Sequence, residues 1–170
     1  MKKVLFLLGQ LNDLDIEWMI QNGSKKSLKT NEELISKGQD IRNIYIILSG
    51  ELAITDGDHK IAAIGPGEIV GEMSFLESRP PSVSVLAADE SVVYSISRDL
   101  MNKKLDSDMA FRSNFYYSLA LFLSNRLRKT TNKLGYESPE EEDIIDTNVL
   151  DGVAQAGARF SQILNKFSEV

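Results

Sequence analysis

Between Lys25 and about Tyr94 every apolar run is short and is broken by Gly, Asn or Pro before it can complete two helical turns. That punctuation excludes long helices from the middle of the chain and predicts short strands joined by tight turns, as in a barrel or jelly roll. Tyr45-Ile46-Ile47-Leu48 is the most apolar strand, and Ser49-Gly50 turns it into Glu51-Leu52-Ala53-Ile54. Thr55-Asp56-Gly57-Asp58 reads as a hairpin turn, and Asn31 suits a left-handed position. Helical patterns flank this region. Asn12 caps a short helix carrying Leu14, Trp18 and Met19, with Gly23 as its stop. Ser97 caps a helix from Arg98 to Leu105, and Asp106-Ser107-Asp108 caps a long one that runs from about 108 to 134 and ends at Gly135.

Within the strand-rich part, Ile69 to Val85 (IVGEMSFLESRPPSVSV) has the composition of a loop that holds a small anion. Ile69 and Val70 bring a strand up to Gly71, which permits close backbone approach. Met73, Ser74, Phe75 and Leu76 form one helical turn whose first N–H groups face an anion. Glu72 beside them is a fixed acceptor suited to sugar hydroxyls. Ser82-Val83-Ser84-Val85 alternates with period two, which predicts both serines toward a ligand and both valines toward a core.

This segment resembles the phosphate-binding cassette of the cyclic nucleotide-binding domain, the family of the bacterial catabolite activators and the regulatory subunits of protein kinase A. The resemblance extends through Leu34-Ile35-Ser36-Lys37-Gly38-Gln39, the Tyr45 to Leu52 strands, Ile64-Gly65-Pro66-Gly67-Glu68 and Val93-Tyr94-Ser95-Ile96-Ser97-Arg98. In all it spans roughly Leu11 to Gly135. It implies a mainly β fold with flanking helices: a double-stranded β-helix, or jelly-roll barrel, with an N-terminal helix, a long dimerisation-type helix and, here, an extra terminal helix. It also implies that Gly71, Glu72, Met73, Ser74, Ser82 and Ser84 hold ribose and phosphate. Thr130 and Thr131 stand where catabolite activators place a Thr-Ser pair on the adenine of cyclic AMP (cAMP), one of the two from the neighbouring subunit.

One departure bears on affinity. Where the family's cassette ends Pro-Arg-x-x-Ser/Thr-Val and the Arg pairs with the cyclic phosphate, this chain has Pro80-Pro81-Ser82-Val83-Ser84-Val85, so Pro81 stands in the Arg position. A charge-assisted hydrogen bond contributes roughly 1.5 to 3 kcal/mol, so its loss weakens binding about ten- to over a hundred-fold. Arg79 is the nearby candidate to supply the charge, against the plainer reading of a solvated loop residue.

The long helix carries two apolar stripes. Phe111, Phe115, Leu119 and Phe122 are spaced to pack on the barrel, while Leu123, Leu127, Thr131 and Leu134 form a second stripe. Either a second copy covers that stripe, giving a homodimer, or the chain's own C-terminal segment does. Arg126, Arg128, Lys129 and Lys133 near the helix end read as complements of its dipole, or as contacts to phosphate or an acidic partner. Residues 136–170 form a second region, in which Ser138-Pro139-Glu140-Glu141-Glu142-Asp143 is an acidic helix start and 147–167 an amphipathic helix suited to the barrel, the long helix or a protein partner.

Composition bounds the rest. With 170 residues, 42% of them hydrophobic, the chain can bury a core; a net charge of -6 argues against nucleic acid as the main partner. There is no Cys and a single His, His59, so no disulfide, no zinc-thiolate site, no metal and no nucleophile–base set is expected. A helix-turn-helix output would require a basic recognition helix after Gly135, and none is expected. Val4 to Leu8 is too short a run for a signal peptide core or membrane span, so a cytoplasmic location is expected. The function expected from the sequence is a cyclic nucleotide-binding sensor or regulatory module, not an enzyme, with cAMP as the ligand and no resident cofactor. The alternative is an interaction scaffold that keeps the barrel without the nucleotide.

Overall fold

In the computed structural model, residues 10–135, 162, 163 and 165–169 are described. Helix α1 (Asp13–Gln21) leads into β1 (Gly23–Leu28), β2 (Glu33–Ile35), β3 (Asn43–Ser49), β4 (Leu52–Asp56), β5 (His59–Ile64) and β6 (Ile69–Val70). Then come α2 (Glu72–Glu77), β7 (Ser84–Ala87), β8 (Ser91–Ser97), α3 (Arg98–Ser107) and α4 (Met109–Lys133). The strands form two four-stranded antiparallel sheets, ordered β1-β8-β3-β6 and β2-β7-β4-β5. This is the mainly β roll with flanking helices that the punctuation implies.

Strand β3 explains why the run 44–48 has no polar alternation. Tyr45 and Ile47 point between the sheets, against Leu52, Val85 and Val93. Ile44, Ile46 and Leu48 point the other way, into a second cluster with the helices. A strand covered on both faces needs apolar residues throughout, and all five are buried. The second cluster takes Phe111, Phe115, Leu119 and Phe122 from α4, each at most 3% exposed, so the first apolar stripe packs where its spacing predicts.

Local signals are read correctly at several ends. Asn12 and Asp15 form a reciprocal capping box, with Asp15 N donating to Asn12 Oδ1 at 2.8 Å and Asn12 N to Asp15 Oδ2 at 3.1 Å. Asp108 caps α4 by accepting from Phe111 N at 2.9 Å, and Asn31 adopts φ 67°. Two expectations for α1 need correction. Leu14 is 76% exposed, and the buried face is Ile16 and Met19; the cap fixes the helix phase so that Leu14 faces water. Gly23 is the first residue of β1 and no left-handed stop; a Cβ there would lie 2.7 Å from Ser95 O and 2.3 Å from the Tyr94 ring, so glycine serves strand packing.

Tyr94 organises a further contact. Its hydroxyl donates to Ile20 O, tying β8 to the end of α1, and the Phe167 ring packs edge-on against it with centroids 4.7 Å apart. Phe167 is fully buried and Ile163 4% exposed, while Lys25 Nζ donates to Ser168 O at 2.7 Å. The described end of the C-terminal region, helical at 162–163 and 165–168, therefore sits on β1, β8 and α1. Of the other readings for the 147–167 helix, residues 147–161 lie outside the described residues, as does the acidic start at 138–143. Leu127 and Leu134 remain 68% and 67% exposed, so the described C-terminal residues do not cover the second stripe of α4.

Phe167→Ala removes a ring from this contact. We expect a loss of up to about 3 kcal/mol in denaturant unfolding, with faster hydrogen exchange in α1 and β1. Unchanged exchange there would show that the terminal helix packs without supporting those elements.

Candidate functional site

Gly71 makes the corner at which the site begins. Its φ of 87° is left-handed, and a Cβ would approach Asn43 O to 3.1 Å, so β6 passes over the start of β3 and turns directly into α2. Glu72 is then the first residue of a six-residue helix with its side chain turned inward, 3% exposed. Ser74 and Phe75 are buried behind it, whereas the Met73 side chain is 52% exposed and only its backbone N–H faces the Glu72 carboxyl.

The partner of Glu72 comes from α4. Arg126 Nη1 donates to Glu72 Oε1 at 2.6 Å, Nη2 donates to Ile69 O at 3.3 Å, and the guanidinium lies 4.5 Å from the Phe122 ring centroid. Burial pushes the Glu72 carboxyl above the ordinary carboxylate range; the Arg126 charge and the N–H groups of Glu72 and Met73 pull it back only in part. This corrects the reading of Arg126 as a helix-end cation, because a backbone dipole is a weak attraction beside a buried carboxylate 54 residues away in the chain. One signal in the sequence points to it: Arg126 precedes Thr130 by one helical turn and so shares its face.

A cavity of about 180 Å³ opens beside this pair, between the β4–β5 hairpin and the last turns of α4. Ile54, Ile61, Ala63 and Ile64 form an apolar wall, and Arg126, Lys129, Thr130 and Lys133 face it. Glu68 also lines it, its Oε2 accepting from Gly65 N at 2.7 Å. The wall is apolar, and the facing side carries the Thr130 hydroxyl and three cationic side chains.

The other expected site residues are spread more widely. Thr130 lines the cavity, with Oγ1 donating to Arg126 O at 3.0 Å. Thr131 Oγ1 donates to Leu127 O at 3.0 Å, and the residue is not part of the lining. Arg79 is exposed on the loop after α2. The expected strand from Ser82 begins only at Ser84: Ser82 is exposed outside it, because β7 pairs with β4 from Ser84 and with β2 from Val85. Ser84 Oγ accepts from Lys37 N at 2.9 Å, and Gly38 N donates to Pro81 O at 2.8 Å, so these two residues pin the loop after β2. Among the described residues no cluster of three or more metal-ligating side chains occurs.

The fold agrees with what comparison with known proteins finds. Residues 25–108 match the family model of the cyclic nucleotide-binding domain. The chain carries a cyclic nucleotide-binding domain. It is 26% identical over 111 residues to a cAMP-dependent protein kinase regulatory subunit of Yarrowia lipolytica, covering 65% of this chain and 30% of that protein. It is 29% identical over 134 residues to a CRP-like cAMP-activated global transcriptional regulator of Mycobacterium tuberculosis, covering 76% and 55%. The chain thus spans between about a third and about half the length of these relatives. In structure it is similar to a cyclic nucleotide-binding domain from Methylobacillus flagellatus, with a TM-score of 0.70 at 19% identity over 84% of this chain and 85% of that one.

The raised pKa of Glu72 has a measurable consequence. A carboxyl whose folded pKa exceeds its unfolded one favours folding below the unfolded value, and that contribution is lost as pH rises through the folded pKa. Stability of the unmodified chain is therefore expected to fall as pH rises from the ordinary value of 4.5 through the raised one. Glu72→Gln should lack that part of the slope. Identical pH profiles in urea unfolding would contradict the burial of an ionisable Glu72.

Proposed function

We propose that this chain is a regulatory module that binds a cyclic nucleotide, cAMP, between the cassette and α4, and passes the bound state to a protein partner. The observation that carries this reading is the cavity under α4 joined to buried Glu72 through Arg126. A nucleotide bound there touches both the barrel and the long helix, so it biases their relative position. Its sugar hydroxyls have Glu72 available on exchange with Arg126, and its base meets the Ile54, Ile61 and Ala63 wall beside Thr130. The names of the two curated relatives, both tied to cAMP, support that choice of ligand.

We read the module as non-catalytic and cytoplasmic, without a DNA-binding output; its acidic balance of -6 supports the last point. Among the described residues no helix is long and apolar enough to cross a membrane. In this reading the C-terminal helix, whose Phe167 docks on Tyr94, is the element that a protein partner engages. An interaction scaffold without nucleotide is the second reading, favoured by Pro81 and by the engagement of Glu72 with Arg126.

Calorimetric titration of the full chain with cAMP, cyclic GMP and cyclic dinucleotides decides between the two. Weak cAMP binding is expected, and Pro81→Arg should tighten it about ten- to a hundred-fold if the phosphate then pairs with the new guanidinium. The bond from Gly38 N to Pro81 O uses backbone alone, so the substitution keeps it. Absence of binding by both proteins would favour the scaffold.

We further propose a homodimer through α4, because Tyr116, Leu127 and Leu134 leave an exposed apolar face on that helix. Sedimentation should show a dimer that Leu127→Glu converts to monomer. A monomer at high micromolar concentration would remove the dimer from the account.

A further inference from the structure

We propose that Glu68 selects the base: its second carboxylate oxygen, Oε1, accepts a hydrogen bond from the exocyclic amino group of an adenine seated in the cavity under α4. This rests on the nucleotide reading above and adds which group of the base is read, and by which residue.

The barrel side of the cavity carries one polar side chain. Its lining residues there are Ile54, Ile61, Ala62, Ala63 and Ile64, with Glu68 as the exception. Glu68 is firmly placed. Its N donates to Gly65 O at 3.1 Å, its O accepts from Ile47 N at 2.9 Å, and Oε2 accepts from Gly65 N at 2.7 Å. The residue is 9% exposed. Among the described residues Oε1 has no hydrogen-bond partner, and no unpaired polar side-chain atom is sealed from solvent. For a residue buried to this extent, the opening is the cavity that it lines, so Oε1 is an acceptor presented there.

Bracing the turn at Gly65 requires one acceptor, and Oε2 provides it. An oxygen withdrawn from water costs stability unless a donor meets it, and the Ile and Ala side chains around Oε1 have none to offer. Two residues on the α4 side are already committed as donors. Thr130 Oγ1 gives its hydrogen to Arg126 O at 3.0 Å and is left to accept. Arg126 donates to Glu72 Oε1 and Ile69 O. An adenine laid on the apolar wall brings the missing donor, its amino group, to the one acceptor on that wall.

The test titrates the full chain by calorimetry with two probes, cAMP and purine riboside cyclic monophosphate, which is cAMP without the amino group. The unmodified chain should bind cAMP about tenfold or more tighter than the des-amino nucleotide. Glu68→Gln keeps the size of the side chain, but only one of its two terminal atoms accepts, so serving Gly65 N leaves an N–H toward the base. It should weaken cAMP binding about tenfold or more and change binding of the des-amino nucleotide less than about twofold, closing the gap between them. Equal binding of the two nucleotides by the unmodified chain, a comparison that needs no variant, overturns the assignment while leaving nucleotide binding intact. An equal loss of both in Glu68→Gln also overturns it, because a turn brace alone would give that result. No binding of either nucleotide by the unmodified chain would overturn the nucleotide reading itself, and this inference with it.

Discussion

The ion pair between Glu72 and Arg126 joins the two halves of this molecule. Glu72 stands at the one corner where β6 becomes α2, held by the left-handed Gly71, and Arg126 stands on the last turns of α4. Taking a carboxylate out of water costs several kcal/mol unless a partner and hydrogen bonds offset it. Here the offset comes from a helix that follows the whole barrel in sequence, so the cassette is complete only when α4 is docked. The same contact fixes the cavity, since Arg126 is at once the partner of Glu72 and part of the wall facing the β4–β5 hairpin.

In the proposed function α4 is the element that a bound ligand addresses. Any sugar hydroxyl that takes up Glu72 does so at the expense of Arg126, and the aromatic contact of Arg126 with Phe122 places the change next to the packed stripe of the helix. Among the described residues the outer stripe is exposed at Leu127 and Leu134, so one face of α4 is set by the barrel and the other is the face that the proposed second chain covers. The terminal contact of Phe167 with Tyr94 lies on a different flank, against α1 and β1, where the strand from the cassette does not reach.

The sequence makes legible those features whose causes are local. Asn12, Asn31 and Asp108 take up the capping and left-handed roles that their side chains favour, and the unbroken run of β3 reflects burial on both faces. The barrel itself follows from turn residues and short apolar runs. Features set by long-range packing are harder to read. Leu14 looks like a core residue by composition, yet the capping box rotates it outward. Ser82 shares the alternation of Ser84, but strand pairing starts two residues later with β4 and three later with β2, and leaves it outside. Arg126 is one of four cations near a helix end, and beyond the face it shares with Thr130 only the position of Glu72 distinguishes it. Gly23 looks like a stop and is a packing residue, because its neighbour Tyr94 is distant in the chain.

The most direct test of the account is whether a nucleotide and Arg126 compete for Glu72. Side-chain nitrogen resonances of Arg126, assigned by comparison with Arg126→Lys, can be followed as cAMP is added to the labelled full chain. The account predicts that the Arg126 guanidinium signals, slow to exchange while paired with the buried carboxylate, shift and broaden or exchange faster as the cavity fills. Arg126 signals that stay unchanged at saturating cAMP, with binding measured in the same sample, would contradict it.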